Sequence, residues 1–199
     1  MTQVPATGKH TVKTNTTPDS RVCLQVQAIT FQQLWDNYVT GNPYDDPAYD
    51  NQCAIRLSAT LHNAGVEMKS FSQKLVKPSP GTSTIGRIFL NGKPTATRAN
   101  EMAEWLRLRP FCGLPAQPEN ITGKDWESKV RGRTGIIFFG GYWARSKKEV
   151  DPTGGHIDLW NGEKMTGFGT GIRARFGIVI PGIWSDLREA KTILFFAIK

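Results

Sequence analysis

The change of hydrophobic period along the chain is what most constrains its fold. Up to about residue 109 the apolar residues recur mainly at helical spacing, and from Gly135 onward they form continuous or alternating blocks of strand length. Ile29, Phe31, Leu34, Trp35, Tyr38 and Val39 follow a helical period behind a candidate N-cap, Thr30, and Gly41-Asn42-Pro43 stops it. Pro43 and Pro47 keep residues 41–50 out of regular structure. Over residues 51–65, Ala54, Leu57, Leu61 and Ala64 make one apolar helix face. Asp50 or Asn51 can cap its start, and Gly65 sits where a C′ glycine belongs. Residues 66–96 read as loop with a turn at Asn91-Gly92, residues 97–109 as a helix ended by Pro110, and residues 125–130 as a short helix. Residues 135–140 and 156–160 read as strands, the second followed by an Asn161-Gly162 hairpin turn and a return over 163–166. Residues 173–180 and 193–198 are further strands, with a short helix over 184–189 between them. Helices first and strands later predict an α+β fold with a largely antiparallel sheet.

A chain of 199 residues suits one domain, here residues 21–199, behind a polar arm over residues 1–20. No apolar run approaches the about 20 residues of a membrane span, so stable membrane insertion is not expected. The first residues lack the apolar core of a secretory signal. The protein is therefore expected to be made in the cytoplasm and, if it acts outside, to leave by another route. The net charge of +8 suggests an acidic partner: nucleic acid, an anionic membrane face, or an acidic polymer such as cell wall. The basic residues are scattered, with only short clusters over 131–133 and 145–148, which weighs against nucleic acid. A basic nucleic-acid-binding module without catalysis nevertheless stays as the alternative class.

Three cysteines are too few for a disulfide scaffold, and with the histidines they lack metal-ligand spacing, so neither metal nor cofactor is expected. Cys53 lies in the first turn of its helix, where unpaired N–H groups and the dipole favour a thiolate and can hold an oxyanion. Cys23, in an alternating run, and Cys112, in an extended turn, have no such address. Whether they pair is not readable from spacing. Of the three histidines, His10 is in the arm, and His62 lies on the Cys53 helix roughly 13 Å along it. His156 opens a strand after Gly154-Gly155, and that strand can approach the head of the helix. Asp158 leaves the same strand face as His156. It either orients the imidazole or binds a neighbouring loop or solvent. A two-residue turn at Asn161-Gly162 would set Trp160 opposite Glu163. The plain alternatives are a small core cysteine and a packed strand histidine.

These blocks resemble a known family. Gly41-Asn42-Pro43-Tyr44, Asn51-Gln52-Cys53-Ala54-Ile55-Arg56-Leu57-Ser58, Gly155-His156-Ile157-Asp158-Leu159-Trp160-Asn161-Gly162 and Trp184-Ser185-Asp186-Leu187-Arg188 resemble the fourth family of type VI secretion amidase effectors. The resemblance runs from about Gly41 to Lys199 and implies a papain-like fold of the NlpC type. It implies a cysteine amidase delivered by the type VI secretion apparatus into the periplasm of rival bacteria. There it would hydrolyse the amide between D-glutamate and meso-diaminopimelate in peptidoglycan stems. It also implies a cognate immunity protein over the active cleft. The family's nucleophile maps onto Cys53 and its base onto His156. Its third residue is an aspartate after the histidine strand, where residues 163–170 contain none, so Asp158 stands as the candidate orienter. A relative that keeps the fold without a reactive thiol is a further possibility.

Overall fold

Thr30 starts the first helix, α1 (Phe31–Asp36), through a reciprocal capping box. Its hydroxyl accepts the Gln33 amide at 3.2 Å, and the Gln33 side chain accepts the Thr30 amide at 2.9 Å. The computed structural model describes residues 27–49, 51–143, 154–166 and 187–199. The arm, His10, Cys23, the Asp50 cap, the 173–180 strand and the first half of the 184–189 helix fall outside them. Helix α1 ends earlier than the apolar period suggests. The Val39 amide is taken by the Thr60 hydroxyl at 3.1 Å, a tertiary partner that replaces the next helical bond.

Helix α2 (Cys53–Asn63) closes as its glycine predicts. Gly65 has φ 93°, its amide bonds the His62 carbonyl at 3.1 Å, and the Val66 amide bonds the Leu61 carbonyl at 2.8 Å. This is a Schellman ending. Ala54, Leu57 and Leu61 are fully buried, worth roughly 1.5–3 kcal/mol for each leucine.

Residues 66–96 are more ordered than their composition suggests. Strands β1 (Arg87–Leu90) and β2 (Lys93–Ala96) form a hairpin whose turn residues, Asn91 and Gly92, both have positive φ. Strand β2 carries Pro94 and little apolar surface, so nothing local marks it. It forms because it packs on α2, where the Ala96 amide finds the Ser58 hydroxyl at 3.1 Å. Helix α3 (Ala99–Arg107) begins two residues after the expected start, because Arg98 stays extended and the Thr97 amide bonds the Gly86 carbonyl at 2.9 Å.

The main sheet is antiparallel throughout, in the order β3 (Glu119–Asn120), β6 (Thr192–Ala197), β4 (Gly135–Trp143), β5 (Gly154–Trp160). Between β3 and β4 lies the short helix α4 (Trp126–Val130). Both faces of the sheet are covered, which is why β4 and β6 read as unbroken apolar runs. Ile136, Phe138, Ile157, Leu159, Leu194 and Phe196 pack toward α2 and α3. Ile137, Phe139, Trp160, Ile193 and Phe195 pack toward α4 and Leu187 on the other face.

The turn after β5 differs from expectation. Asn161 Oδ1 accepts the amides of Glu163 and Lys164 at 3.0 and 2.8 Å, and the Asn161 amide bonds the Lys164 carbonyl. The loop is thus longer than two residues, and Trp160 pairs with Met165 instead of Glu163. Among the described residues, β5 is the edge of this sheet and α2 lies against it.

Candidate active site

Cys53 is the first residue of α2 and is 5% exposed. The residue before it ties down the preceding loop. Gln52 accepts the Tyr44 amide at 3.1 Å and donates to the Tyr44 carbonyl at 2.6 Å. The side chain of Gln52 is thus committed to the 41–49 loop, and the described polar groups left at the head of α2 are backbone amides and the Asn51 side chain, which lines the cleft. Among the described residues, the Cys53 amide makes a long contact, 3.4 Å, with Asn51 Oδ1.

Strand β5 brings His156 to the sulfur. The imidazole hydrogen-bonds the Cys53 thiol, and the Ile157 backbone amide also donates to it. The ring nitrogen Nε2 faces Asp158 Oδ2 at 3.6 Å. That separation is an ion-pair contact and too long for a hydrogen bond, so Asp158 acts on the ring through its charge. His156 and Asp158 are both almost fully buried.

The electrostatics of the pair follow from this arrangement. Burial is the largest influence on His156 and opposes its protonation. Asp158 and Cys53 together outweigh burial and hold the imidazole pKa up at about 9. Burial likewise pushes the Cys53 thiol up, but the hydrogen bond and charge of His156, the Ile157 amide and Arg56 bring it below its ordinary value. Both directions favour a thiolate–imidazolium pair.

Asp158 is itself held. Its Oδ1 accepts the Leu159 amide at 2.8 Å and the Thr166 hydroxyl. The Tyr38 hydroxyl also meets Asp158 and Thr166, and burial followed by the Asp158 charge raises its pKa strongly. Sequence reasoning placed Cys53, His156 and Asp158, and the fold brings all three together. It missed Tyr38 and Thr166, which reach Asp158 from α1's exit and from the β5 return. Nothing local marks either residue. His62 is elsewhere, bonded through Nε2 to the Pro94 carbonyl at 3.0 Å. Among the described residues, no group of three acidic, histidine or cysteine side chains is placed to hold a metal ion. No helix among them is long and apolar enough to cross a membrane.

The thiol opens on a cleft of about 540 Å³ between the Tyr49 loop, Gly155 of β5 and the segments 84–87 and 97–99. Its far wall is built around Glu101, 1% exposed, which accepts the Ser79 amide at 2.8 Å, the Gly86 amide at 2.6 Å and Arg98 Nη1 at 2.9 Å. This buried carboxylate was also missed. Helix α3 carries two acids, Glu101 and Glu104, and nothing local marks which one is turned inward.

A cysteine at the head of a helix, facing a histidine on the edge strand of an antiparallel sheet, defines the papain-like class of α+β folds. The family model described as type VI secretion system (T6SS), amidase effector protein 4, matches residues 49–196. The chain belongs to this family of antibacterial amidase effectors, which act on peptidoglycan.

Solved structures agree on the fold. The type VI effector Tae4 from Enterobacter cloacae superposes with a TM-score of 0.55 at 19% identity, covering 88% of this chain and 100% of that one. The Tae4–Tai4 effector–immunity complex from the same organism gives 0.53 at 20% identity, covering 87% and 100%. The Tae4/Tai4 system of Salmonella typhimurium gives 0.52 at 17% identity, covering 87% and 100%. No curated protein matches the sequence.

Proposed function

We propose that the chain cleaves the D-glutamyl–meso-diaminopimelate amide of peptidoglycan stem peptides, with Cys53 as nucleophile, His156 as general acid and base, and Asp158 as the residue that holds the imidazole charged. The observation that carries this reading is the Cys53–His156 hydrogen bond at the head of α2, beside an open cleft. The thiolate attacks the γ-glutamyl carbonyl carbon. The developing oxyanion is met by backbone N–H groups of the first turn of α2, since the Gln52 side chain is engaged with Tyr44. The His156 imidazolium gives its proton to the departing diaminopimelate amine, and the carbon–nitrogen bond breaks. The neutral imidazole then takes a proton from water, and the resulting hydroxide cleaves the thioester and restores the thiolate. Delivery by the type VI apparatus to a target periplasm puts the enzyme beside this substrate. A cognate immunity protein would protect the producer, as Tai4 is the immunity partner in the structures of the similar Tae4 effectors.

Mass spectrometry of peptidoglycan fragments tests the reading. Wild type should generate new D-glutamate ends and free diaminopimelate amines, and Cys53→Ala should generate neither while keeping the wild-type circular dichroism spectrum. Full activity in Cys53→Ala would remove the nucleophile assignment. Fragments left intact by both proteins, under conditions where a control enzyme cuts, would remove the bond assignment.

A further inference from the structure

Two arginines line the cleft beside Cys53, and they differ in one respect. Arg98 is engaged: its Nη1 reaches Glu101, the Thr82 hydroxyl and the Thr84 carbonyl at 2.9, 3.1 and 2.8 Å. Arg87 has no carboxylate within ion-pair range among the described residues. It is nonetheless oriented. Its guanidinium lies over the Phe89 ring at 5.4 Å, and one Nη1 hydrogen reaches the Phe71 carbonyl at 3.4 Å. Phe89 is a large hydrophobic side chain that stands out in solvent, 60% exposed, on the same face of β1. No acidic side chain lines the cleft among its described residues. A cation held on one side by an aromatic face and a carbonyl, with the rest of its fork open, is preorganised for a planar anion.

We propose that Arg87 is a specificity-determining residue that binds a free carboxylate of the substrate beside the scissile amide. The inference rests on the reading of this cleft as the substrate site. The stem peptide of that reading offers two such groups: the α-carboxylate of D-glutamate and a carboxylate of diaminopimelate. Both present the same chemistry to a guanidinium, and amidating one at a time separates them.

The test is calorimetric binding to the Cys53→Ala protein, which leaves the peptide uncut. The probes are a D-glutamyl–diaminopimelate stem peptide as the free acid, its glutamate α-amide and its diaminopimelate amide. One of the amides should bind about tenfold more weakly than the acid, the scale of a charge-assisted pair that is partly exposed. Arg87→Gln in the same background should erase that preference, and Arg87→Lys should keep part of it. Equal binding of all three peptides, a preference that survives Arg87→Gln, or no binding of the free acid would each overturn the proposal. Cleavage by wild type is followed on the same peptides. If wild type cuts none of them while the preference follows Arg87, the proposed reaction fails and the carboxylate site stands. If wild type cuts them and Arg87 carries no preference, the reverse holds.

Discussion

Asp158→Asn deletes one negative charge 3.6 Å from His156 Nε2 and leaves the shape of the side chain almost unchanged. The amide oxygen can still accept the Leu159 amide and the Thr166 hydroxyl, as the carboxylate does now. At an effective dielectric near 20, a unit charge at this range interacts by about 4 kcal/mol, equivalent to roughly three pH units. Burial is the largest influence on His156 and opposes its charge, so the pKa of about 9 depends on Asp158 and Cys53 together. With Asp158 neutral, Cys53 alone opposes burial, and the imidazole should titrate lower by roughly one to three pH units. The thiol should rise in turn, because a neutral imidazole no longer holds the thiolate.

The sign is clear for activity. In wild type these pKa directions favour the ion pair between the lowered thiol pKa and about 9. In the variant that window narrows from both ends. Two measurements report it: NMR titration of the His156 ring protons, and the pH dependence of Cys53 alkylation by iodoacetamide, read peptide by peptide in the mass spectrometer. An Asp158→Asn protein that melts like wild type and whose His156 still titrates near 9 would refute the reasoning, since the imidazole would then not feel the Asp158 charge.

Other expectations follow from the same contacts. Glu101→Ala leaves the Arg98 guanidinium and two amides without their buried acceptor, and should cost about 3–5 kcal/mol in denaturant unfolding. Gly155→Ala places a Cβ 2.4 Å from Asn100 Oδ1 and 3.1 Å from the Phe139 carbonyl, one residue before His156. It should lower stability by about 1–3 kcal/mol and depress turnover, read by thermal melting beside fragment analysis. His62 is held neutral, mainly by burial, with a pKa lowered to about 4. Its contribution to stability is present above its ordinary value of 6.5 and is lost as pH falls toward 4. His62→Gln should flatten that part of the acid unfolding profile, measured as urea midpoints across this range.

Much of the scaffold was legible because its signals are local. Thr30 announced an N-cap, which the structure completes as a capping box, Gly65 a C′ glycine, which closes a Schellman ending, and Asn91-Gly92 a turn. The apolar runs that became β4 and β6 announced strands, and the structure buries both on two faces. Cys53 could be picked out from its address alone, since the start of α2 is defined by residues within one turn of it. The family resemblance lay in blocks of the same kind, short and contiguous.

The relation between those blocks was another matter. Strands β1 and β2 escaped notice because the Ala96 amide is satisfied by Ser58 on α2 and not by any pattern of its own. The pairing of Trp160 with Met165 was set by the side chain of Asn161, which widened the turn beyond the two residues its Asn-Gly pair suggests. Tyr38 and Thr166 meet at Asp158 from segments distant in sequence, and Arg98 is neutralised while Arg87 is not only because Glu101 is turned inward. By itself the sequence determined the helices, the strands of the last third and where the thiol sits, because caps, periodicity and turn residues act over a few positions. The tertiary structure alone decided which charges face each other in a buried space, because that depends on long-range packing and on the desolvation it imposes.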